Sequence, residues 1–352
     1  MHKFKILDRE IGPGYPVYII AEISANHGGS LEAALALVRE AKAAGADAVK
    51  TQTYTADTLT LKSDREYFRI KGGTLWDGKT LYDLYAEAYT PWEWQPDLKR
   101  YAQELGMHFF SSPFDASAVE FLNGIGVQAY KVASFEIVDL PLLEKIASYG
   151  KPLIISTGMA SFDEISEAVQ AVRNICPDIP VALLQCASAY PAAPEDMNLR
   201  TLVDMAEKFS VPVGLSDHTL GSGAAIASVA LGAAIIEKHL TLSRKDPGPD
   251  SAFSMEPKEF QEMVREIRSV EKALGAVNYG CSPNEEKSRR FRRSLFIVAD
   301  MNPGELFTKA NVRSIRPADG LPPKHLCEIL GRKARQQIKR GTPLTWDLIA
   351  GV

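Results

Sequence analysis

Residues 214–254 decide the fold, and they read GLSDHTLGSGAAIASVALGAAIIEKHLTLSRKDPGPDSAFS. Two histidines, His218 and His239, each follow a short apolar run, and a helix rich in small residues is predicted between the runs. This order predicts strand, helix and strand, with an imidazole at the carboxyl end of each strand. Because parallel strands joined in this way lie side by side, we expect the two rings to converge and to bind one metal ion.

A single histidine at such a position is explained by an ordinary strand end whose hydrogen bonds are satisfied. Here two histidines occupy equivalent positions of consecutive units, and both lie beside acidic residues, Asp217 and Glu237. Asp250, which follows a Gly-Pro turn, adds a carboxylate to the same rim. The combination favours a functional site.

Composition limits the possible partners of the chain. Its 352 residues are 45% hydrophobic and 24% charged, which is ordinary for a globular protein that buries a large core. The net charge of −4 provides no basic field for nucleic acid or anionic lipid. We therefore expect neither partner, and an anionic ligand would have to be bound by a local cluster of cations.

The cysteine content and the lack of long apolar runs suggest a compartment. The four cysteines show no CxxC pairing, which favours reduced thiols. The first residues, MHKFKILDREIGPGY, lack the apolar stretch of a signal peptide, and no apolar run approaches the ~20 residues of a membrane span. The sequence therefore predicts a cytoplasmic protein.

Strand-like apolar runs alternate with helical stripes through residues 1–275. The strands are predicted at residues 17–24, 48–53, 107–111, 129–134, 152–157 and 181–188 and in the GLSDH and EKHLTL segments. Eight such units match a (β/α)8 TIM barrel, whose usual size is ~250 residues. A doubly wound open sheet is the alternative, but no glycine-rich dinucleotide turn follows the first strand.

The predicted strands end in chemically active residues, on the face where barrel enzymes carry their active sites. These ends include Glu22, Lys50, Gln52, Lys131, Ser134, Glu136, Ser156, Ser188, Tyr190 and Ser216. Barrel interiors are mainly apolar, so Lys50 and Lys131 each need an anionic partner or a lowered pKa. Together with the hydroxyls at neighbouring strand ends, the two lysines predict a phosphate-binding cradle.

The chain changes character after Gly275. Residues 276–288 are polar and turn-rich and predict a linker, and residues 289–352 contain short strands and several Gly/Pro turns. About 60 residues is marginal for an isolated domain, so this segment is expected to pack against a barrel. Most of its arginines fit a solvated surface.

With these residues placed, the sequence resembles the sialic acid synthase family over essentially its full length. The resemblance rests on IAEISANHGGS (20–30), AVKTQT (48–53), FSSPFD (110–115), YKVASFE (130–136), ISTGM (155–159), CASAYP (186–191), GLSDHTLG, EKHLTL, GPDSAFS and RPADGLPP (316–323). It implies a barrel followed by a small antifreeze-like (SAF) domain. It also implies a domain-swapped homodimer in which the small domain covers the partner's active site.

The family reaction condenses phosphoenolpyruvate with the aldehyde of an N-acylated amino sugar. The resemblance implies that phosphoenolpyruvate is bound by Lys50, Gln52, Lys131, Ser134, Ser156 and Ser216. It implies that His218 and His239 bind a divalent metal, Mn²⁺ first and Mg²⁺ or Co²⁺ as alternatives. Glu22 and Asp250 match the acidic catalytic positions, and Ser188, Tyr190 and Arg316 match sugar-contacting positions, with Arg316 reaching over from the partner chain.

Within the family, the insertion after the second barrel strand resembles that of the pseudaminic acid synthase branch. The similar segments are TYTADTLTL (53–61) and IKGGTLWDGKTLYDLYAEAYTPWEW (70–94). Ser188 stands where N-acetylneuraminate synthases usually carry asparagine. This branch implies 2,4-diacetamido-2,4,6-trideoxy-L-altrose as the acceptor sugar.

Three alternatives stay open at this stage. The first is an N-acetylneuraminate or legionaminate synthase. The second is a relative that uses a phosphorylated aldose, which would need a second basic cluster that the barrel motifs lack. The third is a degenerate, non-enzymatic barrel with a carbohydrate-binding C-terminal domain, which the occupied lysine and histidine positions disfavour.

Overall fold

The computed structural model describes residues 4–246 and 248–351. The strands up to residue 275 are β1 (Phe4–Ile6), β2 (Arg9–Ile11), β3 (Tyr18–Glu22), β4 (Ala48–Thr53), β5 (His108–Pro113), β6 (Tyr130–Val132), β7 (Leu153–Ser156), β8 (Val181–Cys186), β9 (Val213–Asp217) and β10 (Ile235–His239). Strands β3 to β10 are parallel and close into a barrel in chain order, with β10 paired to β3. The predicted TIM barrel is confirmed, and the open sheet is excluded.

Helices follow the barrel strands and cover their outer side. They are α1 (Leu31–Ala43), α2 (Ala56–Leu59), α3 (Leu81–Ala88), α4 (Gln95–Glu104), α5 (Ala116–Gly124), α6 (Leu140–Ala147), α7 (Phe162–Ile175), α8 (Thr201–Phe209), α9 (Gly223–Ala230) and α10 (Pro257–Leu274). Side-chain caps begin several of them; for example, Ser30 accepts a hydrogen bond from the Ala33 amide at the start of α1. As predicted, α10 begins at a proline and ends before Gly275.

The barrel interior is mainly apolar in the half nearest the amino-terminal ends of its strands. Inward-facing residues such as Tyr18, Ile20 and Phe110 form one buried cluster, and this cluster also contains Phe4 and Ile11 of the β1–β2 hairpin. The antiparallel hairpin therefore closes the amino-terminal end of the barrel. Sequence patterning did not predict it, because strands of three residues are too short to show a period.

Alternation along each strand separates an inner from an outer chemistry. On β10, Glu237 and His239 point inward, and Lys238 between them points outward. The Lys238 ammonium is buried and donates to Asp217 Oδ2 over 2.7 Å and to the Thr219 carbonyl over 2.5 Å. Removing one partner of such a buried pair typically costs about 3–5 kcal/mol. The pair joins the ends of β9 and β10, which are the strands that carry the two histidines.

Residues 54–94 form the largest insertion into the barrel and contain α2 and α3. Tyr54 packs edge-on against Phe114 at a ring distance of 5.2 Å. At the other end, Trp92 packs on Phe121 at 5.0 Å and donates its indole N–H to the Tyr54 carbonyl. Both ends of the insertion are thus fixed to the barrel.

Residues 276–352 form a second compact unit. It contains α11 (Pro283–Arg289), β11 (Ser294–Ile297), β12 (Val312–Ile315) and α12 (Leu326–Ile329), with β11 and β12 antiparallel. Its own apolar core includes Leu295, Phe307 and Leu344. Part of the segment predicted as a turn-rich linker is helical, since Ser282 caps α11 through a reciprocal pair with Glu285.

Two features of the rest of the molecule bear on where function resides. No helix within the described residues is long and apolar enough to cross a membrane. A cavity of about 940 Å³ opens at the amino-terminal ends of β9 and β10, lined largely by apolar residues and by Glu207 and Glu271. It holds none of the predicted site residues, which all lie at the opposite end of the barrel or in the second unit.

Candidate active site

The register of the barrel brings the predicted catalytic residues together. Glu22 at the end of β3 is the direct neighbour of His239 on β10 and of Lys50 on β4. Ser216 on β9 is likewise opposite Glu237 on β10. Because neighbouring strand positions lie about 5 Å apart, residues separated by some 200 positions in the sequence form one cluster.

Two lysines and two glutamates form the centre of this cluster, and all four side chains are buried. Glu22 forms an ion pair with Lys50. Glu237 Oε1 lies 3.7 Å from the Lys50 ammonium and 3.8 Å from the Lys131 ammonium. The charges balance within the group, which is how a barrel interior can hold four ionisable side chains.

Burial and charge compete at these groups. Burial disfavours the charged form of Lys50, but Glu22 and Glu237 outweigh it and raise the pKa of Lys50. For Lys131 burial is the larger effect, and its pKa is lowered despite the charge of Glu237. Burial would raise the pKa of Glu237, but Lys131 and Lys50 together lower it. Lys50 thus has anionic partners, and Lys131 has a lowered pKa.

Hydroxyl groups surround the two lysines. Lys131 donates to Ser156 Oγ over 2.6 Å and to the Val132 carbonyl over 3.0 Å. Ser216 Oγ donates to Glu237 Oε1 over 3.2 Å, and Ser134 Oγ lies 3.4 Å from Cys186 Sγ. Two ammonium groups among serine hydroxyls form a set of donors suited to an anion such as a phosphate or carboxylate.

Gln52 lies two positions after Lys50 on β4, so its side chain is on the same face of the strand. Its backbone amide donates to Ser24 Oγ over 2.6 Å, which fixes the strand end. Gln52 is half-buried and lies opposite Ser112 of β5. The structure therefore places it at the same end of the barrel as the two lysines.

The two histidine rings converge, as the strand order predicts, with their centroids 5.4 Å apart. His218 Nδ1 lies 3.0 Å from the Ala187 carbonyl, and a carbonyl can only accept, so this nitrogen carries a proton. Burial would lower the pKa of His218, but Cys186 and the bond to the Ala187 carbonyl outweigh it and raise this pKa. In the neutral form of the ring, the lone pair is on Nε2. His239 Nδ1 is buried and has no hydrogen-bond partner among the described residues. Burial lowers the pKa of His239 well below its usual value, which keeps the ring neutral.

These features fit a divalent metal with two imidazole ligands. A neutral imidazole is a ligand form, and an unpaired buried ring nitrogen is otherwise costly. Asp250 Oδ2 lies 3.5 Å from His239 Nδ1. Within residues 4–246 and 248–351, no cluster of three or more His, Cys, Asp or Glu side chains has the geometry of a metal site. An ion held by the two rings would have positions open for water and substrate.

Asp250 is held at the rim by a loop that folds back on β3. Asn26 donates to the Leu240 carbonyl over 3.0 Å and to Ser254 Oγ over 2.9 Å. Ser251 Oγ donates to the Asn26 side-chain carbonyl over 3.4 Å. Burial, followed by the charge of Glu22, raises the pKa of Asp250 to about 7. Asn26 therefore positions the loop that carries the second predicted acid.

The residues predicted to contact a sugar lie in two different units. The Tyr190 ring packs 4.4 Å from the His218 ring and 5.3 Å from Phe253. Ser188 lies beside Gly158, where an added Cβ would clash with Ser188 Oγ. Arg316 lies in the second unit, directly after β12. Ser188 and Tyr190 therefore belong to the barrel site, and the role of Arg316 stays a prediction.

Sequence reasoning missed several residues that surround this site. Cys186 Sγ lies 3.7 Å from His218 Nδ1, on the strand that leads to Ser188. Glu136 was predicted as a strand-end residue but given no role; it has a buried oxygen without a hydrogen-bond partner among the described residues, and burial raises its pKa to about 7. Glu237 was noted only as an acidic neighbour, although strand alternation from His239 would have placed it inside the barrel.

Comparison with known proteins gives the same assignment for both units. The model of the NeuB family matches residues 37–279, and the model of the SAF domain matches residues 292–350. A pseudaminic acid synthase of Campylobacter jejuni is 49% identical, covering 93% of this chain and 95% of its own length. One from Helicobacter pylori is 45% identical, covering 94% and 97%.

More distant relatives match over similar lengths. The N,N'-diacetyllegionaminic acid synthase of Legionella pneumophila is 38% identical, covering 96% of each chain. The crystal structure of an N-acetylneuraminic acid synthetase from Leptospira borgpetersenii superposes with a TM-score of 0.72 at 35% identity, covering 82% of this chain and 95% of that chain.

A first prediction concerns Gly158, which lets the loop after β7 pass close to two predicted substrate contacts. In Gly158→Ala, the new methyl group would lie 2.9 Å from Ser134 Oγ and closer still to Ser188 Oγ. Since small misplacements of binding groups are expensive, we expect kcat/KM to fall by about tenfold or more. Gly124→Ala, whose methyl group would meet open space, is the matched control and should stay within about twofold. Equal activity of the two variants would contradict the close-approach argument.

A second prediction concerns His27, which is buried after β3. The Gly29 amide donates to His27 Nδ1, so the ring proton is on Nε2, next to Thr90 Oγ1. Burial lowers the pKa of His27 from 6.5 to about 4. Between these values only the unfolded chain binds the proton, so the folded state loses stability as the pH falls, by on the order of 3 kcal/mol in total.

The measurement is the free energy of unfolding of the barrel at several pH values between 7.5 and 4. The free energy of unfolding of the unsubstituted protein, relative to that of His27→Gln, should fall as the pH falls from 6.5 toward 4. His325→Gln, in the second unit, should leave the pH dependence of the barrel transition unchanged. A difference between the unsubstituted protein and His27→Gln that is constant across this range would refute the assignment.

Proposed function

The chain belongs to the NeuB family, and we propose that it is a pseudaminic acid synthase. The proposed reaction condenses phosphoenolpyruvate with 2,4-diacetamido-2,4,6-trideoxy-L-altrose to give pseudaminic acid and phosphate. The observation that carries this assignment is the identity of 45–49% to pseudaminic acid synthases over 93–94% of the chain. Identity to the legionaminic acid synthase from Legionella is lower, at 38%.

The site supports phosphoenolpyruvate as the first substrate. Phosphoenolpyruvate is a small anion with a phosphate and a carboxylate, whereas the net charge of the chain is −4. Lys50, Lys131 and the hydroxyls of Ser134, Ser156 and Ser216 supply local donors, as the anion requires. We assign phosphate and carboxylate binding to this group, together with Gln52.

The bonds made and broken define what the protein must do. C3 of phosphoenolpyruvate attacks the aldehyde carbon of the open-chain sugar, which becomes an alkoxide and takes up a proton. Water adds to C2 and loses a proton, which leaves a hydroxyl there. Phosphate then leaves with its bridging oxygen and takes up the hydroxyl proton, as the hydroxyl oxygen becomes that of the ketone. Glu22 and Asp250 are two of the carboxyl groups at the reacting end of the barrel. We assign the proton transfers to them, work often worth about 10²–10⁴ in rate.

We further propose that His218 and His239 bind a divalent metal, Mn²⁺ first among the candidates. When bound, the ion would polarise the sugar aldehyde as a Lewis acid. Two observations support this role: the rings converge, and His239 Nδ1 has no hydrogen bond among the described residues. Ser188 and Tyr190, which lie next to these rings, are assigned to the acceptor sugar.

The proposed location is the cytoplasm. All four cysteines are free thiols, as expected in a reducing compartment.

A third prediction tests the reaction directly by phosphate release from phosphoenolpyruvate. With Mn²⁺, the purified protein should release phosphate far faster with the diacetamido-trideoxy-altrose than with N-acetylmannosamine, for which slow release is expected. EDTA should abolish release, and added Mn²⁺ should restore it. Lys131→Met should lose at least ~10²-fold in kcat/KM because a buried anion contact is removed, whereas the surface variant Lys145→Met should not.

Each result has a distinct meaning. Release with N-acetylmannosamine alone would keep the reaction class and overturn the acceptor sugar. Release that EDTA does not affect would overturn the metal. No release with either sugar would overturn the assignment as a synthase.

We also propose that the protein is a homodimer with exchanged C-terminal domains. The loops at the carboxyl ends of the strands carry exposed apolar side chains, which a partner would cover. They are Phe135 and Val138 (both 57% exposed), Met159 (63%), Phe162 (52%) and Leu220 (64%). In this arrangement, Arg316 of the partner subunit reaches the acceptor sugar.

A fourth prediction follows from this arrangement. Light scattering should give twice the chain mass of 38.6 kDa. Arg316→Ala and Lys131→Met should each be inactive alone, but co-expression should restore activity, because each mixed dimer has one site with both residues intact. A monomer mass, or mixed dimers without activity, would contradict the exchange.

A further inference from the structure

Trp76 is a side chain through which the insertion of residues 54–94 reaches the barrel site. Its indole N–H donates to the Pro249 carbonyl over 3.0 Å, and Pro249 directly precedes Asp250. Its ring lies 5.7 Å from the ring of Tyr190, which in turn lies 4.4 Å from His218. Trp76 therefore touches both the loop of the second predicted acid and the tyrosine beside the histidine pair.

The turn that carries Trp76 is built to hold it in place. The Asp77 carboxylate accepts hydrogen bonds from the amides of Gly72, Gly73 and Thr74. Ile70 and Gly78 close the base of the turn, since the Gly78 amide donates to the Ile70 carbonyl over 3.1 Å. Within residues 71–78, Trp76 alone is shielded from solvent in part, and the others are exposed. A rigid, exposed turn thus presents a single aromatic side chain to the site.

The contacts of Trp76 determine what it can offer a ligand. Its only polar atom, the indole nitrogen, is already bonded to Pro249, so the rest of the ring presents apolar surface. A ligand group that packs against this surface gains if it is apolar. A hydroxyl placed there loses its hydrogen bonds to water without replacement.

We propose that Trp76 is a specificity-determining residue of the acceptor subsite, where it forms an aromatic wall with Tyr190. The wall receives the apolar part of the acceptor, a deoxygenated carbon or an acetamido methyl group, and disfavours a hydroxyl at that position. This inference rests on the proposed function, since it concerns how the same site selects its sugar. It makes the insertion a recognition element for the acceptor.

A fifth prediction tests this wall by steady-state kinetics of Trp76→Ala and Trp76→Phe. At saturating phosphoenolpyruvate, kcat/KM for the diacetamido-trideoxy-altrose should fall by about tenfold or more in Trp76→Ala, the usual size of an apolar pocket contact. Trp76→Phe should lie between Trp76→Ala and the unsubstituted protein. The ratio of kcat/KM for this sugar to that for N-acetylmannosamine should fall in parallel, and the KM for phosphoenolpyruvate should stay within about twofold.

Trp92→Phe is the matched control. Trp92 belongs to the same insertion, packs on an aromatic ring and also donates its indole N–H to a carbonyl, but its partners are Phe121 and Tyr54. Trp92→Phe should leave the ratio of kcat/KM for the two sugars unchanged. An unchanged ratio in Trp76→Ala, or equal losses for both sugars and phosphoenolpyruvate, would overturn the proposal.

Titration calorimetry separates this inference from the proposed function. If the unsubstituted protein releases no phosphate with the diacetamido-trideoxy-altrose, the proposed function fails, and the two sugars are then titrated as ligands. Weaker binding of the deoxygenated sugar to Trp76→Ala than to the unsubstituted protein, by about tenfold, would still support the wall. Equal Kd values for the two proteins, or no binding of either sugar, would overturn it.

Discussion

Charge balance inside a closed barrel is the constraint on which the site depends. Lys50 and Lys131 are buried in a barrel whose amino-terminal half is mainly apolar, and neither ammonium could remain there alone. Glu22 and Glu237 provide the opposite charges, and the cluster as a whole is close to neutral. In the proposed function, a bound anion would take over the interactions that the carboxylates make with the lysines. The same four side chains would then meet a structural requirement and a binding requirement.

Strand alternation divides the work of β9 and β10 between their two faces. Toward the interior, Ser216, Glu237 and His239 face the reacting end of the barrel. Toward the helices, Lys238 and Asp217 form a buried pair that holds the two strand ends together. Each histidine is a chain neighbour of one member of this pair. The Lys238–Asp217 pair, on the helix-facing side of the strands, therefore helps to fix the ring separation of 5.4 Å from outside the site.

Much of this architecture was readable from local patterns. The apolar runs, the helical stripes and the Gly and Pro boundaries predicted eight units and placed α10 at its observed bounds. The failures have local causes too. The three-residue strands of the β1–β2 hairpin have no readable period, and α11 lies in a polar stretch whose helix is nucleated by the cap at Ser282. Ser134 was predicted as part of a strand, but β6 ends at Val132 and Ser134 begins a 3₁₀ turn.

The sequence by itself determined the class of fold, the ends of the strands and the residue types at those ends, because periodicity and turn signals act over a few residues. It also determined the family, through many ordered motifs. Tertiary structure alone decided which of these residues meet. Glu22 lies beside His239 only because the last barrel strand closes onto the first. Glu237 lies between two lysines only because of the strand register. Trp76 reaches Tyr190 only because the turn of the insertion, which is distant in sequence, packs against it. Such contacts depend on chain closure across long sequence separations, which no local pattern encodes.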